Sequence, residues 1–194
     1  MSIASFYDKF SIPYPIVDLF LKPQKRKLFQ EINTQPYGQL LEIGIGIGTH
    51  LPLYHRHQVT GIDTSKKMLQ IARKKKRKHI TLMQMNGENL SFKDQTFDYI
   101  VLSHVITVVD NPEKLLEESF RVLKPKGKIY ILNHFTPNNW LRHIDHSFQV
   151  ISKLFHFKSF FQINTLTTIN KFTLIKEINI DRLSYFKLLI YSKV

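Results

Sequence analysis

Apolar positions along this chain recur with two different periods. Gln39–Ile43, Gln58–Ile62, Ile80–Met85, Phe97–Leu102 and Lys128–Leu132 are short apolar runs bounded by polar or turn-forming residues, the signature of buried strands. Between them the spacing turns helical. A helix is expected to open near Thr49. Met68, Leu69, Ile71 and Ala72 share a helical face that Asp63 or Ser65 can cap. Asn111-Pro112-Glu113 starts a helix through Leu115, Leu116, Phe120, Val122 and Leu123, and Lys124–Gly127 reads as the turn that follows it. Strands separated by helices give a parallel sheet with right-handed crossovers. Residues 172–180 and 184–192 read as two closing strands, an antiparallel hairpin on the sheet edge. Upstream, Val17, Phe20, Leu21, Leu28 and Ile32 fall near one helical face, and Pro23 is expected to break or kink that helix. The pattern predicts a single doubly wound α/β domain over 1–194 with a mostly parallel seven-stranded sheet. It divides into an amphipathic arm (1–38), a core (39–132), an aromatic insertion (133–163) and closing strands (164–194).

The first strand carries the densest chemical signal. Leu40-Leu41-Glu42-Ile43-Gly44-Ile45-Gly46-Ile47-Gly48-Thr49-His50 ends an apolar run in an acid and then places a glycine at every second position. Glycine lets the backbone turn tightly and lets a ligand approach bare peptide N–H groups. A second acid, Asp63, closes the next strand. Strand, glycine loop, helix, strand and acid form the opening of a nucleotide site. The dinucleotide fingerprint G-x-G-x-x-G is not met, because position 49 is Thr and the third glycine arrives one residue early.

Composition bounds the partners. The chain has 194 residues, no cysteine and a formal charge of +13. Lack of cysteine excludes disulfides, thiolate zinc sites and cysteine nucleophiles, and fits a reducing compartment. The N-terminus lacks a secretory pattern, and no apolar stretch approaches the ~18 residues of a spanning helix. A cytoplasmic protein, soluble or peripheral to a membrane, is expected. The charge suits nucleic acid or anionic lipid, but Lys, Ile, Asn and Phe are frequent throughout, so charge alone selects neither. The run Arg73-Lys74-Lys75-Lys76-Arg77-Lys78 reads as a solvated helix end that suits the helix dipole. His143-x-x-His146 with Asp145 has no second ligand cluster, and no metal site is expected.

The E-x-G-x-G-x-G loop with its strand-end acid resembles class I, Rossmann-like methyltransferases that bind S-adenosylmethionine, over roughly residues 38–134. Within them, Gly48-Thr49-His50-Leu51-Pro52-Leu53-Tyr54, His104-Val105-Ile106-Thr107-Val108-Val109-Asp110-Asn111-Pro112 and Ile131-Leu132-Asn133-His134-Phe135 look like bacterial phospholipid N-methyltransferases. Those enzymes turn phosphatidylethanolamine into phosphatidylcholine by successive methyl transfers. Tyr7-Asp8 and the Trp140 segment also fit that layout. The resemblance implies that Glu42 orders the loop near the methionine amino group, that Gly44, Gly46 and Gly48 allow close approach, and that Asp63 accepts from the ribose hydroxyls. It implies that Met68 packs on the adenine and that Thr64, Gly87 and Ser103 line the cofactor site, with S-adenosylhomocysteine as product. Asn86 stands where many relatives carry Asp, and its carboxamide oxygen can still accept from the adenine amino group.

Methyl transfer to an amine needs an unprotonated nitrogen in line with the donor, and positioning supplies most of the rate. Tyr7 and Tyr14 precede the first strand and are candidates to hold a cationic headgroup through ring faces and phenol oxygens; the competing reading makes them packing tyrosines. His104 and His134 follow the fourth and fifth strands and are candidate proton acceptors; the competing reading makes them structural. Trp140 belongs to the substrate side, and Arg142 suits a lipid phosphate or a solvated face. The arm and residues 133–162 are expected to cover the site. The expected partners are an anionic membrane surface, at the inner face of the cell membrane, and an ethanolamine phospholipid, acted on by a monomer. The segment after the fourth strand lacks the Asn/Asp-Pro-Pro-aromatic signature of base-amino methylation, which speaks against nucleic acid. Two rivals stand beside this reading: a soluble small-molecule or quinone-precursor methyltransferase, and a catalytically silent cofactor-binding module.

Overall fold

The structure is a computed structural model that describes residues 14–135, 162–180 and 186–194, with side chains described from Gln24 onward. Helix α1 (Tyr14–Asn33) precedes strands β1 (Gln39–Ile43) and β2 (Gln58–Asp63), helix α2 (Lys66–Arg73) and strands β3 (Ile80–Gln84) and β4 (Phe97–Ser103). Helix α3 (Pro112–Val122) and strands β5 (Leu123–His134), β6 (Phe172–Asn179) and β7 (Phe186–Lys193) follow. The sheet has seven strands in the order β3-β2-β1-β4-β5-β7-β6. The pairs from β3 to β5 are parallel, and β7 runs antiparallel to both β5 and β6. The expected sheet and its antiparallel edge hairpin are both present.

Central strands buried on both faces read as continuous apolar runs, as β1 and β4 do. Their alternation splits the core in two. Leu41, Ile43, Ile100, Leu102, Ile129 and Ile131 pack with Leu115, Leu116 and Val122 of α3. Leu40, Val101, Tyr130 and Leu132 pack on the other face with Leu28, Phe29 and Ile32 of α1 and Leu69 and Ala72 of α2. Period two therefore puts Glu42 beside Leu40, on the face that α1 and α2 cover.

The caps follow local chemistry. Ser65 Oγ accepts from Met68 N at 3.1 Å, so Ser65 caps α2. Asn111 Oδ1 accepts from Lys114 N at 3.0 Å, with Pro112 in the first turn of α3 where its missing N–H is harmless.

Three local expectations are corrected. No α-helix opens at Thr49; a single 3₁₀ turn, Leu51–Leu53, carries Pro52 and leads straight towards β2. Pro23 does not break α1, which continues through it, since proline's own φ is helical and only one bond of a 20-residue helix is lost. Lys124–Gly127 lies inside β5, although pairing with β4 jumps from Phe97–Leu123 to Tyr99–Lys128 and Lys126 has φ 62°. The turn residues are there, looped out of a strand that resumes.

α1 has a definite direction. His57, just before β2, hydrogen-bonds the Ile32 carbonyl, while Lys25 lies against His50, just past the glycine loop. The helix therefore runs back from the amino edge of the sheet toward its carboxyl edge as one follows it toward Tyr14.

Candidate functional site

Strand order reverses between β1 and β4, and at such a switch point the loops leaving the strands part to open a crevice. A cleft of about 970 Å³, open mouth included, lies there. Gly44, Gly46, Asp63, Thr64, Met68, Asn86, Gly87, Ser103 and His104, all singled out from the sequence, line it. Met85, Glu88, Val105, Val108, Val109 and Asp110 line it too and were not anticipated. The sequence offered a signal for them: they neighbour Asn86 or follow the β4 histidine.

The glycine loop is shaped by its φ angles. Gly44 and Gly46 have φ of 77° and 57°, and a Cβ on Gly44 would lie 2.8 Å from Val105 Cγ2. The N–H groups do not face a ligand as the sequence suggested. Gly44 N donates to the Ile62 carbonyl at 2.8 Å, Gly46 N to Asp63 Oδ2 at 2.8 Å and Gly48 N to the Ile45 carbonyl at 3.2 Å. The loop offers close approach without these donors. Gly48 does not line the cleft, because it packs against Leu51 and Ala72.

Asp63 is locked by the loop it faces. Oδ2 accepts from Gly46 N and Oδ1 from Ser65 N at 2.9 Å. The carboxylate also lines the cleft. Asn86 Oδ1 accepts from Glu88 N at 3.0 Å, so its oxygen is likewise shared with its own turn.

Glu42 is fully buried and does not line the cleft; its place is beneath the loop. His50 Nε2 lies 2.8 Å from Glu42 Oε1, and the Tyr54 hydroxyl donates to Oε2 at 2.9 Å. Burial, followed by the neighbouring Glu42 charge, pushes the Tyr54 phenol well above its ordinary value, so it stays a donor. Lys25 is buried against His50 because α1 packs its Phe29 face on this turn.

His104 leaves β4 with φ 57°, a left-handed conformation uncommon for a residue with a Cβ and concentrated at working sites. Its N–H donates to the Leu132 carbonyl at 2.8 Å. His134 does not line the cleft, but both histidine rings lie 5.9 Å from the Phe186 ring, one on each contact. Phe186, at the start of β7, is thus the piece that joins the two histidines. Tyr7, Trp140 and Arg142 lie outside the described residues, as do the side chain of Tyr14 and the His143–His146 pair. Among the described residues no cluster suits a metal ion.

The electrostatics test which nucleotide fits. Asp63, Glu88 and Asp110 line the cleft together with His104, and among the described residues no Lys or Arg does. No α-helix N-terminus follows the loop to receive a pyrophosphate. Such a cleft repels phosphate and favours a cationic sulfonium nucleoside. Ser103 Oγ, buried and without a hydrogen-bond partner among the described residues, lines it as well and can meet a polar ligand group. Asp63, Met68, Asn86, Gly44 and Gly46, the residues that the resemblance ties to S-adenosylmethionine, line this cleft together.

Known proteins agree with that geometry. A family described as a methyltransferase domain matches residues 41–131. Phosphatidylethanolamine N-methyltransferase of Cereibacter sphaeroides is 40% identical over 117 residues, 57% of this chain and 57% of its own. Demethylmenaquinone methyltransferase of Lactobacillus johnsonii is 38% identical over 125 residues, 59% of this chain and 51% of its own. The chain thus spans little more than half the length of these relatives. The fold of an S-adenosylmethionine-dependent methyltransferase from Thermotoga maritima superimposes with a TM-score of 0.73 at 21% identity, covering 98% of this chain and 99% of that one.

Proposed function

We propose that this chain, which carries a class I methyltransferase domain whose cofactor is S-adenosylmethionine, methylates the amine of phosphatidylethanolamine and of its mono- and dimethyl derivatives. The observation that carries the reading is the 40% identity to a phosphatidylethanolamine N-methyltransferase over 117 residues. The cleft's chemistry supports it, since the carboxylates of Asp63, Glu88 and Asp110 favour a cationic donor and an amine acceptor.

When bound, the cofactor supplies an electrophilic methyl group on a sulfonium. The chain's own residues set the geometry. The glycine loop and Asp63 fix one end, while Val105, Val108 and Val109 line the cleft with apolar side chains and limit water. His104, at the carboxyl end of β4, takes the proton that leaves the amine, directly or through one water. His134, across Phe186, orients the headgroup or passes that proton on. Tyr7 and Tyr14 hold the increasingly methylated nitrogen by ring faces and phenol oxygens, with Trp140 beside them and Arg142 on the lipid phosphate. α1 supports the placement of the tyrosines, because its direction carries the chain before Lys25 toward the carboxyl edge. The protein works as a monomer on the inner face of the cell membrane. Among the described residues no helix is long and apolar enough to cross a membrane.

A quinone-precursor methyltransferase is the second reading, favoured by the 38% identical demethylmenaquinone enzyme and by the valine-lined cleft wall. Methyl-labelled S-adenosylmethionine offered with phosphatidylethanolamine vesicles, demethylmenaquinone and a soluble amine separates them. Label in the ethanolamine lipid is expected. Label in the quinone or the soluble amine alone would overturn the lipid assignment and leave the cofactor site standing. His104→Ala should lower turnover at least ~10-fold, about 1.4 kcal/mol in the barrier, with cofactor affinity unchanged.

A further inference from the structure

Behind the glycine loop, four buried polar side chains form a continuous chain from α1 to β1. Lys25 Nζ lies 3.2 Å from His50 Nδ1, His50 Nε2 lies 2.8 Å from Glu42 Oε1, and the Tyr54 hydroxyl donates to Glu42 Oε2. Lys25, His50, Glu42 and Tyr54 are all at least nine-tenths buried. Phe29, one helical turn beyond Lys25, packs its ring 5.7 Å from His50 and 4.8 Å from Tyr54, so one face of α1 meets the whole group.

The imidazole uses both ring nitrogens: Nε2 meets the Glu42 carboxylate on β1 and Nδ1 meets the Lys25 amine on α1, so it bridges a basic and an acidic side chain that are both buried. Glu42 and His50 sit at the two ends of the loop that holds Gly44, Gly46 and Gly48, so this bond closes the loop. Without Lys25, Glu42 keeps a buried charge with no cation in the chain of contacts, a strongly unfavourable state.

We infer that Lys25 is a positioning residue: through His50 and Glu42 it locks the glycine loop in its ligand-accepting shape, and so couples the docking of α1 to cofactor binding. The inference rests on the cleft being the cofactor site and adds a link between that site and the N-terminal helix. Lys25 is not among the described residues that line the cleft. Coupling is reciprocal, so a docked α1 that strengthens cofactor binding must itself be held more firmly once the cofactor is bound.

The test uses the full chain and S-adenosylhomocysteine as probe. Binding is measured by calorimetry, and hydrogen exchange is followed at the backbone amides of residues 24–33. Lys25→Met and Glu42→Gln should each weaken binding at least ~10-fold. The double variant, which removes both charges together, should bind no worse than the weaker single variant. Lys25→Arg, which keeps a charged donor, should bind within about 3-fold of the parent. The probe should slow exchange in 24–33 in the parent and not in Lys25→Met. Losses that multiply in the double variant, or probe-induced protection of 24–33 that persists in Lys25→Met, would overturn the coupling. Should Lys25→Met fail to fold, exchange in 24–33 of the parent that is the same with and without the probe would overturn it equally. A parent that does not bind the probe would instead overturn the cofactor site itself.

Discussion

Asp63 shows how one side chain serves both the fold and the site. Its two oxygens accept from Gly46 N and Ser65 N, pinning the glycine loop to the turn before α2, while the carboxylate still lines the cleft. Asp63→Asn replaces one acceptor oxygen with an NH₂ donor, which opposes one of those two backbone N–H groups. Affinity for S-adenosylhomocysteine should fall by about 1–3 kcal/mol, the range for a buried donor left without its acceptor. Calorimetry checks it, and unchanged binding would remove Asp63 from the site. The acid's position at the end of a strand was readable from sequence, because β2 is a buried apolar run that stops there. The use of the loop N–H groups was not. Whether Gly46 N turns to a ligand or to Asp63 depends on φ angles that residue identity permits without dictating. His50 gave no signal either: its partners lie 8 residues back on β1 and 25 back on α1, and only folding brings them together.

Elements were legible where a single period decided them and illegible where packing did. β1 to β4 and α3 match their patterns to within a residue or two, since apolar runs and an Asn-Pro-Glu start leave little choice. The helix expected after Gly48 is absent, because Pro52 and buried Leu51 close a short turn against α2 instead. The end of the chain's long insertion is fastened by a contact no pattern announces. Glu113, in the first turn of α3, accepts from the backbone N–H and the hydroxyl of both Thr167 and Thr168. Those bonds, the Thr167 and Thr168 hydroxyls foremost, hold its carboxyl below the ordinary value of 4.5. A folded-state pKa below the unfolded one stabilises the fold above the unfolded value and loses that effect as pH falls through the folded one. Glu113→Gln should therefore lower the melting temperature at neutral pH. The gap between variant and parent should narrow as pH drops below about 4.5. A gap that is constant down to pH 3 would mean that the ionised clamp contributes nothing.

At the scale of the molecule, the bases at and after the end of α2 lie on the opposite edge of the sheet from the cleft. Parallel strands β1 to β5 all end at the edge that holds the cleft, and α2 runs back from that edge, so Arg73, Lys74, Lys76, Arg77 and Lys78 are exposed at the amino edge. The cleft edge carries Asp63, Glu88 and Asp110. Under the proposed lipid function the substrate has to reach the cleft, which would put the membrane-facing bases near the carboxyl edge. Arg26 and Lys27 qualify: both are exposed, and they adjoin Lys25, level with the glycine loop. Each base close to an anionic surface contributes about 1 kcal/mol, and the effect fades within about one Debye length, ~8–10 Å. On phosphatidylethanolamine vesicles containing anionic lipid, changing Arg26 and Lys27 to Gln should raise the apparent KM for lipid roughly 10-fold or more. Turnover at saturating lipid and affinity for S-adenosylhomocysteine should stay as in the parent. Changing the five amino-edge bases to Gln should leave the lipid KM nearly as it was, because bases across the thickness of the sheet are screened from a surface at the cleft. Steady-state assays on vesicles at two salt concentrations separate the cases, since added salt should erase the Arg26–Lys27 effect. If the amino-edge variant is the one that loses lipid KM, the cleft does not face the bilayer. The large positive charge would then have to act through a surface remote from the chemistry.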